Sequence, residues 1–487
     1  MELKETLNDR FQRLVAEQVE RKGMTKNKRL KVTQETGCIT VPTTSIKEAI
    51  ETLQYELAYQ EEPVNIRETI VGCFWDGAHA FGRAMEKQFG WVHGVSDWGN
   101  PPQEKSIATG VGTTTLVPWG KFKVPGIEGG VISTAFERDA QGRFLFCIAA
   151  TVKRKDEEKI RNLAIATREY LKTGSLYKGK AIKIKFRDSD GEYLPMPEPV
   201  FLDVSSANIE GLIFSDEVWS AIETSIFTPI RYTEACRQNN VPLKRGVLLE
   251  GVYGTGKTLA LFAAAKVAQD NGWTSVYCED ITELEDCIRF GMTYGPSVVQ
   301  CEDIDRVMSG NRNMGMDDIL NIVDGVESKN NDLMVLLTTN NVGAINKAMV
   351  RPGRLDDVIE VKPPDASAVE RLIRYYAGPA LDAETSLVEI GNVLNGRIPA
   401  VIRECVERAK LSQIKLSKGE VQEGGLKITV EALLDAANTM GHQLALLDAT
   451  KEEIGVYEGL GRLIGALTGG PRYDTTVSKL LQIEKSA

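Results

Sequence analysis

Arg245–Gln269 reads RGVLLEGVYGTGKTLALFAAAKVAQ, and this stretch decides the fold. Within it, Gly251 through Thr258 satisfies the spacing G-x-x-x-x-G-K-[ST]. Val247–Leu249 before it is a short apolar run suited to a buried strand, and the Ala- and Leu-rich stretch after Lys257 is a strong helix former. Gly251, Gly254 and Gly256 let the backbone turn its amides inward around phosphate oxygens, and the helix N-terminus adds its positive end. Lys257 is placed to reach the β- and γ-phosphates, and Thr258 to put its hydroxyl on Mg²⁺. The expected nucleotide-contacting set is Gly251, Val252, Tyr253, Gly254, Thr255, Gly256, Lys257, Thr258 and Leu259.

Downstream, PSVVQCEDIDRV (Pro296–Val307) is a short apolar strand ending in acids. The interval from Lys257 leaves room for a helix, a strand and a helix. In a parallel sheet such a strand end lies beside the phosphate loop. One carboxylate can order Mg²⁺ while its neighbour polarises an attacking water. Strand alternation puts Glu302 toward Thr258 as the metal group and Asp303 toward the γ-phosphate as the water-polarising group, with Asp305 structural. The opposite assignment, with Glu302 polarising the water, is the alternative.

The 487 residues are enough for two to four domains, and 42% hydrophobic content supports a core in each. A formal charge of -10 argues against a nucleic-acid footprint spread over the whole surface. Eight cysteines without a CxxC pair, beside only His79, His93 and His442, suggest buried free thiols in a reducing cytoplasm, not zinc or a disulfide framework. There is no apolar run long enough to span a membrane. The first thirty residues form a charged helical pattern without a signal-peptide core.

Four regions are expected: 1–109 mainly helical, 110–210 a small α/β or α+β domain, 211–364 the nucleotide-binding part, and 365–487 a helical lid with an extension. In IRETIVGCFWDGAHAFGRAMEKQFGW (Ile66–Trp91) a helix is expected, with Phe74, Ala78, Phe81 and Met85 as its packing stripe. KAIKIKF (Lys180–Phe186) reads as a strand of the small domain, and Ser215 as the cap of a helix.

Together these residues resemble the AAA-type ATPases of the AAA+ superfamily, a ring-forming branch of the phosphate-loop NTPases. The resemblance covers about Glu217–Ser412 and is carried by the lead-in SIFTPIRYTEACRQNNVPLKRGVLLEG, by VVQCEDID and by VLLTTNNVGAINKAMVRPGRLDDVIEV. It implies an α/β fold with a parallel sheet of strand order 5-1-4-3-2 and a helical lid, beside a separate N-terminal α/β or α+β region. It implies ATP and Mg²⁺ as cofactors, Asn340 as the polar sensor of the γ-phosphate, and Arg351 and Arg354 as arginines that reach the nucleotide of an adjacent subunit. A guanidinium supplied in trans neutralises charge developing on the transferred phosphoryl and makes turnover depend on assembly.

Four departures qualify the resemblance. The family's Asp-Glu order is reversed as Glu302-Asp303, Tyr253 stands where proline is common, and Ser275–Gln300 runs from strand to helix to strand without the pore-gripping insertion of unfolding members. Arg397, ahead of the helix that begins near Pro399, is either a second sensor of the phosphates or an interface or surface arginine. The leading expectation is a cytoplasmic ATP hydrolase, a homo-oligomer in a six-membered ring, that remodels an unidentified protein or complex recruited by the N-terminal region. A DNA- or RNA-associated motor or loader is a less favoured alternative, as is an ATP-gated structural oligomer with weak hydrolysis.

Overall fold

The computed structural model describes residues 31–32, 39–40, 46–90, 104–140, 143–207, 209–304, 332–340, 355–417 and 425–441. Two compact units divide the chain, Met1–Leu176 and Tyr177–Ala487.

In the first unit, α1 (Ile46–Glu61) precedes β1 (Pro63–Val71), α2 (Phe74–Phe89) and a hairpin of β2 (Glu104–Gly110) and β3 (Thr113–Pro118). Then come β4 (Lys121–Lys123), β5 (Val131–Arg138), β6 (Phe144–Lys153) and α3 (Glu157–Gly174). The main sheet is antiparallel, in the order β1-β6-β5-β4.

The helix expected from Ile66 starts only at Phe74. Ile66, Thr69, Ile70 and Val71 are β-branched, and burial along β1 alternates with period two. Helix-forming Arg67 and Glu68 do not outweigh that pattern. Phe74, Ala78, Phe81 and Met85 are buried on α2 against the sheet, where Phe146 of β6 meets Phe74 and Phe81 at centroid distances of 5.7 and 6.2 Å. Asp76, wholly buried, accepts from Ser175 Oγ at 2.6 Å and from the Leu176 amide at 2.8 Å, tying the start of α2 to the end of the unit.

The second unit holds β7 (Ala181–Lys183), β8 (Val200–Phe201), α4 (Asp216–Ile222), β9 (Arg245–Glu250), α5 (Lys257–Asp270), β10 (Thr274–Cys278), α6 (Leu284–Thr293), β11 (Ser297–Cys301), β12 (Leu333–Thr339) and β13 (Asp357–Glu360). Ser215 stands at the N-cap of α4 without a side-chain capping bond. The seven-stranded sheet has the order β8-β7-β10-β11-β12-β9-β13. Its five strands from β9 to β13 in chain order are mutually parallel where paired and lie as 5-1-4-3-2.

Two strands lie beyond that expectation. β7 pairs parallel with β10, Ala181 opposite Ser275, and β8 pairs antiparallel with β7. KAIKIKF therefore extends the nucleotide sheet and does not close the small domain, so the compact boundary falls after Leu176 and not near 210. The reason is packing: Ala181 sits with Val204 and Ala265 of α5, and its amide donates to Gln269 Oε1 at 3.1 Å.

α7 (Ala366–Ala377), α8 (Val388–Val393), α9 (Pro399–Leu416) and α10 (430–441) follow with a core of their own, including Leu372, Ile402, Val406 and Leu433. Asp365 caps α7 by accepting from the Ala368 amide at 2.8 Å. Arg371 of α7 reaches back to the lead-in, donating to the Phe214 carbonyl at 2.8 Å and to Asp216 Oδ1 at 2.9 Å. Among the described residues no helix is long and apolar enough to cross a membrane. The described cysteines are free; all are buried except the half-buried Cys236.

Candidate functional site: a phosphate loop at the end of a parallel sheet

Val247, Leu248 and Leu249 are fully buried, so β9 delivers the chain to Gly251 at a fixed point on the sheet edge. Gly251 has φ 152°, and a Cβ there would stand 2.4 Å from the Val361 carbonyl oxygen. Only glycine fits a turn this close to the end of β13. The loop returns through Gly254 and Gly256, both at positive φ, and α5 begins at Lys257. Thr255 Oγ1 braces it by donating to the Val252 carbonyl at 3.0 Å. Val252 and Tyr253 are exposed, as is Leu259 on the first turn of α5.

Lys257 is only 5% exposed, so its ammonium requires partners. It donates to the carbonyls of Gly251 and Val252 at 2.7 and 2.9 Å and to Asn340 Oδ1 at 2.8 Å. Asn340 lies just past β12, which is hydrogen-bonded between β9 and β11. Its amide nitrogen donates to Asp303 Oδ1 at 2.8 Å. One side chain thus joins the loop lysine to the acid after β11. Beside it, Thr258 Oγ1 donates to Glu302 Oε2 at 3.2 Å.

The two acids are therefore in different places. Glu302 shares a site with the Thr258 hydroxyl, and hydroxyl and carboxylate oxygens form a hard-donor pair that fits Mg²⁺. Asp303 faces Asn340. The charge of Glu302 also reaches Tyr277 on β10, whose phenol is pushed up to about 12, first by burial and then by that carboxylate. Glu250, the last residue of β9, is pushed up by burial and by Glu360 opposite it on β13. Behind Glu302, the buried thiol of Cys301 is held well above its ordinary range by its contact with Cys278 and by burial, so it stays neutral.

Arg397 precedes Ile398, whose Cδ1 would lie 3.1 Å from a Cβ at Gly254, so the start of α9 abuts the loop. Arg351, Arg354 and Asp305 lie outside the described residues. Three features were not read from the sequence. Thr338 accepts the Asp303 amide on its side-chain oxygen at 3.0 Å. Phe214 packs against the loop, with Cε1 3.2 Å from where a Gly256 Cβ would stand. A cavity of about 450 Å³ is lined by Leu212, Phe214, Trp219 and Arg371, among others. The apolar run Leu212–Phe214 was the available signal for the last two.

From β10 the chain passes through one short turn, Ile281–Glu283, into α6 and then β11. No inserted loop separates them.

Residues 247–363 match the model of the family described as ATPase family associated with various cellular activities (AAA). The chain is 26% identical over 271 residues to the 26S proteasome regulatory subunit 4 homolog of Encephalitozoon cuniculi, covering 50% of this chain and 61% of that protein. It is 27% identical over 289 residues to the cell division cycle protein 48 homolog of Archaeoglobus fulgidus, covering 54% and 38%. It is 28% identical over 222 residues to the ATP-dependent zinc metalloprotease FtsH of Helicobacter pylori, covering 42% and 35%. The chain spans less than two thirds of the length of each of these relatives.

Proposed function

We propose, from the premise that this chain is an AAA-type phosphate-loop ATPase, that it hydrolyses ATP to ADP and phosphate and couples the cycle to remodelling a protein or protein complex. The observation that carries the reading is the bond path Lys257–Asn340–Asp303, which brings a phosphate-binding cation and a water-polarising carboxylate to one sensor side chain.

The roles follow from that placement. The loop amides and Lys257 take the phosphates, and the cavity beside Phe214 takes the nucleoside. Thr258 and Glu302 hold Mg²⁺, which when bound neutralises charge on the phosphates. Asp303 orients and polarises the attacking water, and Asn340 fixes that carboxylate and senses the γ-phosphate. Arg397, next in sequence to Ile398 at the loop, is either the second phosphate sensor or an interface or surface arginine. Arg351 and Arg354 act on the nucleotide of a neighbouring copy in a homo-oligomeric ring of six, so hydrolysis waits on assembly. The first compact unit, Met1–Leu176, recruits the remodelled partner. The direct passage from β10 to α6 supports remodelling without processive threading through a gripping loop.

The test uses two variants of the purified full chain. Lys257→Ala should bind ATP at least about tenfold more weakly, because it removes a charge-assisted phosphate contact. Asp303→Asn should bind ATP normally and lose most turnover. Wild-type-like phosphate release from both variants would end this reading.

A further inference from the structure

We infer that Thr338 is the positioning residue for the water-polarising carboxylate, and that the left-handed backbone it helps to hold is why aspartate, not glutamate, stands at position 303. The inference rests on the hydrolytic reading above and concerns how the reversed acid pair is accommodated.

Asp303 has φ 47°. Among the described residues only Asn240 shares a positive φ without being glycine. Left-handed backbone places Cβ against the following carbonyl, and the short polar side chains of Asp and Asn tolerate it best. Glutamate lacks that local accommodation. The usual order of acids would therefore set a poorly suited residue where the chain turns left-handed after β11.

Two successive amides from this turn go to one residue. The Asp303 N–H donates to Thr338 Oγ1 at 3.0 Å, and the Ile304 N–H donates to the Thr338 carbonyl at 3.0 Å. Thr338 is 1% exposed, so water does not readily replace its hydroxyl. Thr338 lies in β12 and Asn340 just past its end, and both reach Asp303. Thr338 holds the backbone of Asp303 while Asn340 holds its carboxylate. Backbone and side chain of Asp303 are thereby held by β12 and the residue that follows it. The turn redirects the Cα–Cβ bond toward Asn340, which offsets the missing methylene.

The experiment measures kcat, KM and ATP affinity for Thr338→Val, Thr338→Ala, Thr338→Ser and Asp303→Glu in the full chain. Thr338→Val and Thr338→Ala leave the Asp303 amide without its acceptor and should each lower kcat about tenfold or more. ATP affinity should stay within about twofold, and Thr338→Ser should restore turnover, since the hydroxyl is the operative group. Asp303→Glu should also lower kcat, although its carboxylate is longer. Wild-type turnover in Thr338→Val or in Asp303→Glu would overturn the inference. So would Thr338→Ser being as impaired as Thr338→Val, or kcat and ATP affinity collapsing together in both deletions, which would make the hydroxyl a folding contact. A wild-type protein that binds ATP and never hydrolyses it would instead remove the hydrolytic reading, and this inference with it.

Discussion

Asn340→Asp is the sharpest perturbation of the site, because it keeps the shape of the side chain and reverses the sign of one contact. Asn340 Oδ1 accepts from Lys257 at 2.8 Å, and an aspartate would keep that bond. Its nitrogen donates to Asp303 Oδ1 at 2.8 Å, and an oxygen there would face a second carboxylate. Losing a hydrogen bond to a charged group costs about 1.5–3 kcal/mol. Two unit charges at that separation repel by roughly 6 kcal/mol at an effective dielectric constant of about 20. Both residues are half-buried, so rotation and solvent relieve much of this. A net cost of about 2–4 kcal/mol corresponds to a fall in turnover of roughly 30- to 1,000-fold. Asn340→Ala is the control, since it removes both bonds and introduces no repulsion. Phosphate release at saturating ATP, with affinity measured separately, should rank wild type above Asn340→Ala and Asn340→Ala above Asn340→Asp. If Asn340→Asp turns over as fast as Asn340→Ala, the contact between residues 340 and 303 does not operate during hydrolysis and the bond path loses its mechanistic meaning.

Three other outcomes are expected, two from contacts in the structure and one from the proposed action in trans. Gly251→Ala would bring a methyl group to 2.4 Å from the Val361 oxygen at φ 152°, so it should destabilise the fold by about 1–3 kcal/mol in denaturant unfolding and weaken ATP binding; an unchanged unfolding midpoint would contradict this. Arg354→Ala should bind ATP nearly normally and hydrolyse it poorly, and mixing it with Lys257→Ala should recover activity at mixed interfaces. Activity equal to the sum of the separate preparations, in mixed rings verified by mass, would refute action in trans. Asp76→Ala leaves the Ser175 hydroxyl and Leu176 amide without their buried acceptor and should cost about 1–3 kcal/mol of stability, read as a lower unfolding midpoint for the first compact unit.

The phosphate loop was legible because its information is local. Glycines at fixed intervals, a lysine and a helix former after an apolar strand specify the turn without reference to the rest of the chain. The position of Glu302 was readable for a related reason, since it follows an apolar strand and in a parallel sheet such strand ends gather on one side, whereas Asn340 was singled out by the family resemblance. KAIKIKF marks the limit of that reasoning. Its alternation reports which side chains share a face, but not which sheet the strand joins. Its parallel partner β10 begins at Thr274, far along the chain, and the choice was made by Ala181 packing on Ala265. Ile66–Val71 failed in another way, since Arg67 and Glu68 favour a helix until the period-two burial of their neighbours is known.

The reversed acids show why composition at a site can mislead even where its location is legible. On side-chain length alone, Asp303 is the weaker choice of the two carboxylates for reaching a water. The left-handed turn at 303 changes that comparison, because the direction of the Cα–Cβ bond then matters more than one methylene. A hydroxyl at 338 helps to hold that turn, and the sequence presents it as one of two threonines ending an apolar strand. The adjacent Thr339 gives its carbonyl to the Gly251 amide, so neighbouring residues of β12 position the acid and the phosphate loop in turn. Since Asn340 then bonds Lys257 and Asp303, a displacement at the end of β12 moves the cation and the acid together. Under the hydrolytic reading proposed above, a strand shift too small to break the sheet would therefore alter catalysis without altering which residues line the site.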